Sequence, residues 1–389
     1  MSLVLSMVAG EPSGDLLASR IIQGVRARDP GLRVSGIGGP EMQQQGMQLL
    51  YPMDDLSVFG YVDALKNLPR LIHTHLRFRS SVLKLRPDVF VGVDAPDFNL
   101  RLEHHLRQRG IPTVHFVGPS IWAWRYERIH KIRAAVSHML VLFPFEEEIY
   151  RKEGVPVTYV GHPLAAQIPA QPDKQRARLR LGMDPDGAVL AILPGSRASE
   201  IAELAPRFLQ AASLLQKDDP SLRFIVPLVN EARQTQFNTI AQRHPVKNLQ
   251  CFHSRVADHP IAWDVMEACD AALVASGTAT LETALFQRPM VISYVLTPLM
   301  RRLMEWKAGQ DGPSLPWVGL PNVLLREFAV PELLQEAATP ANLATACMRA
   351  LTDKTYIEQT EAKFRQLHRE LNRDTAKLAA EAILATAND

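Results

Sequence analysis

Short runs of β-branched and apolar residues, each followed by a stretch with helical spacing, recur along this chain and restrict its fold more than any other feature. Such runs stand at residues 3–8, 34–37, 89–93, 113–117, 139–142 and 158–160. This alternation is the pattern of parallel strands joined by crossover helices. It starts again with an apolar run at 189–193, followed by a Gly-Ser turn and a helical pattern, and continues to about residue 294. From 341 onward Ala, Leu, Glu, Lys and Arg dominate and no β run appears, so the spacing predicts helices to the end. A length of 389 residues is long for one core and suits two α/β domains of nearly equal weight. The Pro- and Gln-containing stretch 168–174 places the boundary near 165–185. We therefore expect an α/β protein of two Rossmann-like, doubly wound domains, 1–170 and 171–340, with closing helices over 341–389 that can cross back to the first.

Composition removes several functions. The net charge of +2 is too small to argue for a nucleic-acid partner. Cys251, Cys269 and Cys347 are odd in number and widely spaced, which suggests neither a disulfide framework nor a zinc site and fits the reducing cytosol. The apolar start MSLVLSMVAGEPSGD has no basic residue before its apolar run and reads as a first strand rather than a secretory signal. No segment offers the ~20 continuous apolar residues of a spanning helix, so any membrane contact is expected to be peripheral. No His or Asp spacing suggests a metal, and no cofactor is expected; His115 and His162 read as core or supporting residues.

Two such domains in tandem imply a cleft, with ligands beyond the carboxyl ends of the strands. The strand-to-helix loops therefore matter most. Pro194-Gly195-Ser196-Arg197 precedes a helix opened by Ser199-Glu200. Gly195 lets the backbone approach a ligand, helix amides at Ser196 attract an anion, and Arg197 offers a charged donor fork for phosphate. The alternative is a plain turn with a surface arginine. A second loop, with Ser276, Gly277 and Thr278 at a helix start and Glu282 one turn inward, suits a pyrophosphate and a ribose whose hydroxyls donate to the carboxylate. Here too a bland reading exists, with Ser276 or Thr278 as a cap and Glu282 as a first-turn acid.

In the first half, Gly10-Glu11-Pro12-Ser13-Gly14-Asp15 follows the first strand. It is neither GxGxxG nor a P-loop, and Asp15 is a candidate helix cap. Asp94 and Asp97, three residues apart beyond an apolar strand, are candidate general bases for an attacking sugar hydroxyl, with Glu11 in reserve. Capping by Asp97 is the alternative. Pro119-Ser120-Ile121-Trp122-Ala123-Trp124-Arg125 joins indoles to a cation, which suits an amphiphile, although Trp122 also reads as a core anchor. Over 59–86, Leu65, Leu68, Leu71, Ile72, Leu76 and Phe78 interleave with Lys66, Arg70, Arg77, Arg79 and Lys84, the composition of an interfacial helix; at least half of these apolar residues are expected to pack on the sheet.

Taken together, GEPSGD at 10–15, GVDAPDFN at 92–99, PSIWAWR at 119–125, LPGSR at 193–197, ASGTATLE at 275–282 and LPNVL at 320–324 resemble the lipid-A-disaccharide synthase family over essentially the whole chain. The family's first loop often has Ala where this chain has Pro12. The resemblance implies a GT-B architecture of two facing domains and an inverting, metal-independent transfer from UDP-2,3-diacylglucosamine to 2,3-diacylglucosamine 1-phosphate. The products are then a β-1,6-linked disaccharide and UDP. It further implies UDP bound by the second domain, including Asn322 of LPNVL, and acceptor or lipid contacts from Ser13, Trp122, Trp124 and Arg125. A homodimer with exchanged C-terminal parts, and an anionic inner-membrane surface on the cytoplasmic side of a Gram-negative cell, complete the expectation. The rivals are a UDP-N-acetylglucosamine 2-epimerase, the peptidoglycan N-acetylglucosaminyltransferase, and a non-catalytic nucleotide-sugar sensor.

Overall fold

A computed structural model describes residues 2–56, 61–123, 125–253, 259–296 and 315–388, and for 61–71 the backbone alone. The chain forms two compact units, Met1–Pro163 with Leu371–Asp389, and Leu164–Glu370.

Unit 1 runs β1 (Val4–Ala9), α1 (Pro12–Arg26), β2 (Arg33–Gly38), α2 (Pro40–Gln44), β3 (Gln48–Pro52), α3 (Tyr61–Leu85), β4 (Val89–Val93), α4 (Pro96–Arg107), β5 (Thr113–Phe116), α5 (Ile129–Ala135), β6 (His138–Val141), α6 (Pro144–Lys152) and β7 (Val157–Tyr159). Its strands are parallel, in the order β3-β2-β1-β4-β5-β6-β7. The central strands are apolar on both faces because helices cover both. One face of the sheet packs Leu5, Met7, Val91 and Val114 against Ala18, Ile21, Ile22 and Val25 of α1 and Ala379, Ala380 and Ile383 of the closing helix Thr375–Asn388. The other packs Val8, Ile37 and Phe90 against Phe78 and Val82 of α3 and Leu102 and Leu106 of α4.

Unit 2 runs α7 (Pro163–Gln167), α8 (Lys174–Arg180), β8 (Val189–Leu193), α9 (Ala198–Asp218), β9 (Arg223–Pro227), α10 (Glu231–Ala241), β10 (Leu249–Phe252), α11 (Ile261–Ala268), β11 (Ala271–Ala275), α12 (Thr278–Leu285), β12 (Met290–Tyr294) and β13 (Glu332–Leu334). Its parallel sheet has the order β10-β9-β8-β11-β12-β13. Of the helices after residue 339, Pro340–Thr352 covers this sheet through Leu343 and Cys347.

In both sheets the strand order reverses once, between β1 and β4 and between β8 and β11. Connections leave such a switch point in opposite directions, so the loops after the two strands part and leave room for a ligand. Four of the five loops singled out from the sequence follow these four strands, and the fifth, 119–125, follows β5.

One loop residue acts elsewhere than expected. Asp15 does not cap its own helix; its buried carboxylate accepts from the backbone N–H groups of Gly39, Glu41 and Met42 at 2.9, 2.9 and 3.1 Å. It therefore satisfies the orphan donors at the start of α2. Only glycine fits at 39, because a Cβ there would lie 2.5 Å from Asp15 Oδ2.

Candidate active site

At the switch point of unit 1, the loops after β1 and β4 touch: a Cβ on Gly10 would stand 3.3 Å from Ala95 Cβ. Glu11 and Ser13 are exposed at the start of α1. After β4 the chain takes two consecutive left-handed residues, Asp94 (φ 51) and Ala95 (φ 43). Each such non-glycine residue costs about 1–3 kcal/mol. The turn is held by Asp94 N–H donating to Phe116 O at 2.8 Å and by the buried Asn99, whose Nδ2 donates to Asp94 O at 2.7 Å. Asp94 is left half-buried, and Asp97 stands in the first turn of α4 with 85% of its side chain exposed, joined through one oxygen to Arg128 Nη2 at 3.1 Å.

Beneath this loop Glu103 Oε1 and His115 Nδ1 share a hydrogen bond at 2.8 Å, both side chains being fully buried. Burial pushes the Glu103 carboxyl up, against the opposing pull of His115. His115 is thus a core partner of an acid. His162 stacks on Phe143, with centroids 5.5 Å apart, and burial lowers its pKa to about 4. Trp122 packs edge-on against Phe145 at 5.2 Å and is half-buried, while Arg125 is exposed in a left-handed turn (φ 60). Trp124 lies outside the described residues. Glu146 accepts from Phe143 N–H at 3.1 Å at the head of α6, and burial raises its pKa to about 7.

In unit 2 the first loop is closed by its own helix. Glu200 Oε2 accepts from Ser196 and Arg197 N–H at 3.1 and 3.2 Å, and Glu200 Oε1 from Arg197 Nη1 at 2.7 Å. Gly195 (φ 103) makes this possible, since a side chain there would strike Glu200. The two amides expected to meet an anion therefore already have an acceptor, while 77% of the Arg197 side chain remains exposed. The second loop differs. Gly277 provides no side-chain cap for α12, and Gly277 and Thr278 are exposed, with Ser276 half-buried beside them. Thr280 Oγ1 donates to Gly277 O at 2.8 Å and steadies the turn. Glu282, one turn on, is partly accessible; its Oε1 accepts from Trp263 Nε1 at 2.9 Å, and burial pushes its carboxyl up.

A cavity of about 240 Å³ opens beyond β9 and β10, lined by Pro227, Leu228, Val229, His253, Pro260, Ile261 and Ala262. None of these residues stood out in the sequence, because the lining, His253 apart, is apolar and gathered from three separate segments. Asn322 is buried; its Nδ2 donates to Val330 O and Glu332 Oε1, both at 2.8 Å, and its Oδ1 accepts from Val330 N–H at 3.0 Å. It is committed to holding β13 to its own helix, Leu320–Leu325. Among the described residues no group of three His, Cys, Asp or Glu side chains is arranged to hold a metal.

Two α/β units, each with a parallel sheet and polar loops at its switch point, give the chain a GT-B type fold. The same fold occurs in the glycotransferase of kitacinnamycin (TM-score 0.61, 14% identity, 99% of each chain covered) and in the UDP-GlcNAc 2-epimerase of Neisseria meningitidis bound to UDP-GlcNAc (TM-score 0.60, 12% identity, 99% of each). These likenesses concern the fold alone.

Sequence is more specific. Residues 5–383 match the lipid-A-disaccharide synthetase family. The chain is 64% identical over 390 residues to the lipid-A-disaccharide synthase of Bordetella pertussis, covering 100% of this chain and 99% of the relative. It is 47% identical over 386 residues to that of Chromobacterium violaceum, covering 99% and 98%. The chain belongs to the lipid-A-disaccharide synthetase family, whose members are glycosyltransferases.

Proposed function

We propose that the protein transfers 2,3-diacylglucosamine from its UDP derivative to 2,3-diacylglucosamine 1-phosphate, forming the β-1,6 disaccharide and releasing UDP. Within unit 2 the reading is carried by Glu282, an accessible carboxylate one helical turn from the uncapped amides of α12. Ribose hydroxyls donate to the carboxylate while the diphosphate meets Ser276, Gly277, Thr278 and the exposed Arg197. The 240 Å³ apolar cavity is of a size for a pyrimidine ring. Asn322 acts at one remove, by fixing the strand edge.

Unit 1 supplies the base. The acceptor hydroxyl attacks the anomeric carbon, a carboxylate takes its proton, and UDP leaves in the same displacement. Asp97 is assigned that task because it is exposed in the first turn of α4, just after the strained, braced turn at Asp94 and Ala95, and keeps one oxygen clear of Arg128; Asp94 and Glu11 are the reserves. Ser13, Trp122, Trp124 and Arg125 are assigned to the acceptor. Incubation with both acylated sugars tests the reading by mass spectrometry. A disaccharide with equimolar UDP is expected, and an intact donor in the presence of folded, UDP-binding protein overturns it.

Acylated substrates also require a membrane surface, since each CH₂ removed from water is worth ~0.8 kcal/mol. Among the described residues no helix is long and apolar enough to cross a membrane. In α3, Phe78 and Val82 pack inward, while Ile72, Leu76, Arg77 and Lys84 are exposed, a mixed face suited to an anionic leaflet. The side chains of Leu65, Lys66, Leu68, Arg70 and Leu71 lie outside the described residues, as does Phe59. Sedimentation with vesicles is expected to show binding that needs anionic lipid, falls with salt and weakens when Arg70, Arg77 and Arg79 become Ser together. Self-association into a dimer with exchanged C-terminal parts is checked by sedimentation velocity.

A further inference from the structure

A flexible glutamate is a poor ribose ligand until something fixes it. Its side chain must be frozen, at a cost in rotamer entropy, before two hydroxyls can donate to it. In this chain the fixing group comes from another helix. Trp263, in the first turn of α11, donates its indole N–H to Glu282 Oε1 at 2.9 Å. The indole is itself held. His259 stacks on it with centroids 5.9 Å apart and planes inclined by 22°, and Phe286 meets its edge at 6.1 Å. Behind His259, its Nε2 lies 3.2 Å from Asp264 Oδ2, and the buried Asp264 takes Arg180 Nε at 2.6 Å.

We infer that Trp263 is a positioning residue, which holds one oxygen of Glu282 so that the other is presented to a nucleotide ribose. The inference rests on the reading of unit 2 as the donor site. Two observations separate it from simple packing. Around Glu282 on α12, Leu281, Thr283, Ala284 and Leu285 are buried, whereas Glu282 and Trp263 both keep solvent access. The residues just before Trp263, namely Pro260, Ile261 and Ala262, line the 240 Å³ cavity, so one segment shapes both the cavity and the carboxylate. A buried tie would need neither.

The bond also bears on charge. Burial pushes the Glu282 carboxyl up and the indole N–H opposes it. The titratable and charged groups beyond the indole are His259, Asp264 and Arg180, on the approach to α11, on α11 and on α8. A ribose ligand must be ionised, so affinity is present above the Glu282 pKa and lost as pH falls through it. Removing the indole N–H leaves burial less opposed, and the loss then begins at higher pH.

The test uses UDP-N-acetylglucosamine, whose diphosphate diester does not titrate between pH 5 and 8, with the full chain and calorimetry across that range. Trp263→Phe is expected to weaken binding about fivefold to tenfold at pH 8, within the net worth of one hydrogen bond, and to move the acid decline upward. Glu282→Gln is expected to weaken binding and to remove the Glu282 part of the pH response. Unchanged affinity in Glu282→Gln overturns the donor-site reading itself. Weakened Glu282→Gln beside a Trp263→Phe protein with wild-type affinity and wild-type pH response overturns only the role of Trp263. Should Trp263→Phe fail to fold, the Trp263 indole ¹⁵N–H resonance of the wild type, assigned by replacing the other tryptophans in turn, decides. It is expected to move on saturation with the ligand, and an unmoved resonance overturns the inference.

Discussion

The switch points of the two units are wound alike but furnished in opposite ways. In unit 1 the loops after β1 and β4 present carboxylates, Glu11, Asp94 and Asp97, and after β4 the left-handed angles fall on the non-glycine residues Asp94 and Ala95. In unit 2 the loops after β8 and β11 present hydroxyls, helix amides and a guanidinium on turns where glycine takes the difficult angles. On the proposed reading, one side accepts a proton and the other holds an anion. Topology thus decides where a ligand sits, and the loop residues decide which chemistry it meets.

The contrast breaks if the two sides are not separable. Asp97→Asn is expected to lower turnover by about 10² to 10⁴, the usual worth of general-base help, with UDP affinity unchanged. Steady-state rates with calorimetry check it; near-normal turnover moves the base to Asp94 or Glu11.

A second prediction concerns two glutamates with the same local task. Both Glu146 and Glu200 close the first turn of a helix through backbone N–H groups, but Glu146 is buried without a basic partner in its cap while Glu200 is paired with Arg197. Burial raises Glu146 from 4.5 to about 7, so the folded state favours its protonated form. The stability this gives is full below about pH 4.5 and is lost as pH rises through 7. Denaturant melts are expected to show wild-type stability falling between pH 4 and pH 8 by up to about 3 kcal/mol more than in Glu146→Gln. Parallel pH curves for the two proteins defeat this.

The smallest effect is expected from the anion side. Arg197 is mostly exposed and already shares its charge with Glu200, so Arg197→Ala should weaken UDP binding only about tenfold. Titration calorimetry reads it directly. A loss of turnover without a loss of UDP affinity would place Arg197 on the proton-transfer side and blur the division.

The apolar runs at 89–93 and 189–193 coincide with β4 and β8, because strands covered on both faces are written in uninterrupted apolar residues. The edge strands β3 and β13 were not legible, since Gln48, Pro52 and Glu332 carry little of that signal. The four loops could be located from glycine and from helix starts. Their partners could not: Asp15 reaches a helix 24 residues on, and Trp263 meets Glu282 from a different helix. Glu200 was visible only as a helix opener, because the Arg197 that precedes it is not an ordinary cap residue. Helical spacing after 341 likewise announces helices without saying which sheet each one covers.

The return of the chain to unit 1 sets an order of events during synthesis. Ala379, Ala380 and Ile383 of the closing helix cover α1 beside Ala18, Ile21, Ile22 and Val25, yet they are translated after all of unit 2. At ~5–20 residues per second, the ribosome spends on the order of 10 to 40 seconds making unit 2 while that apolar face waits. Until the helix Thr375–Asn388 emerges, the first unit has no segment of its own to cover that face.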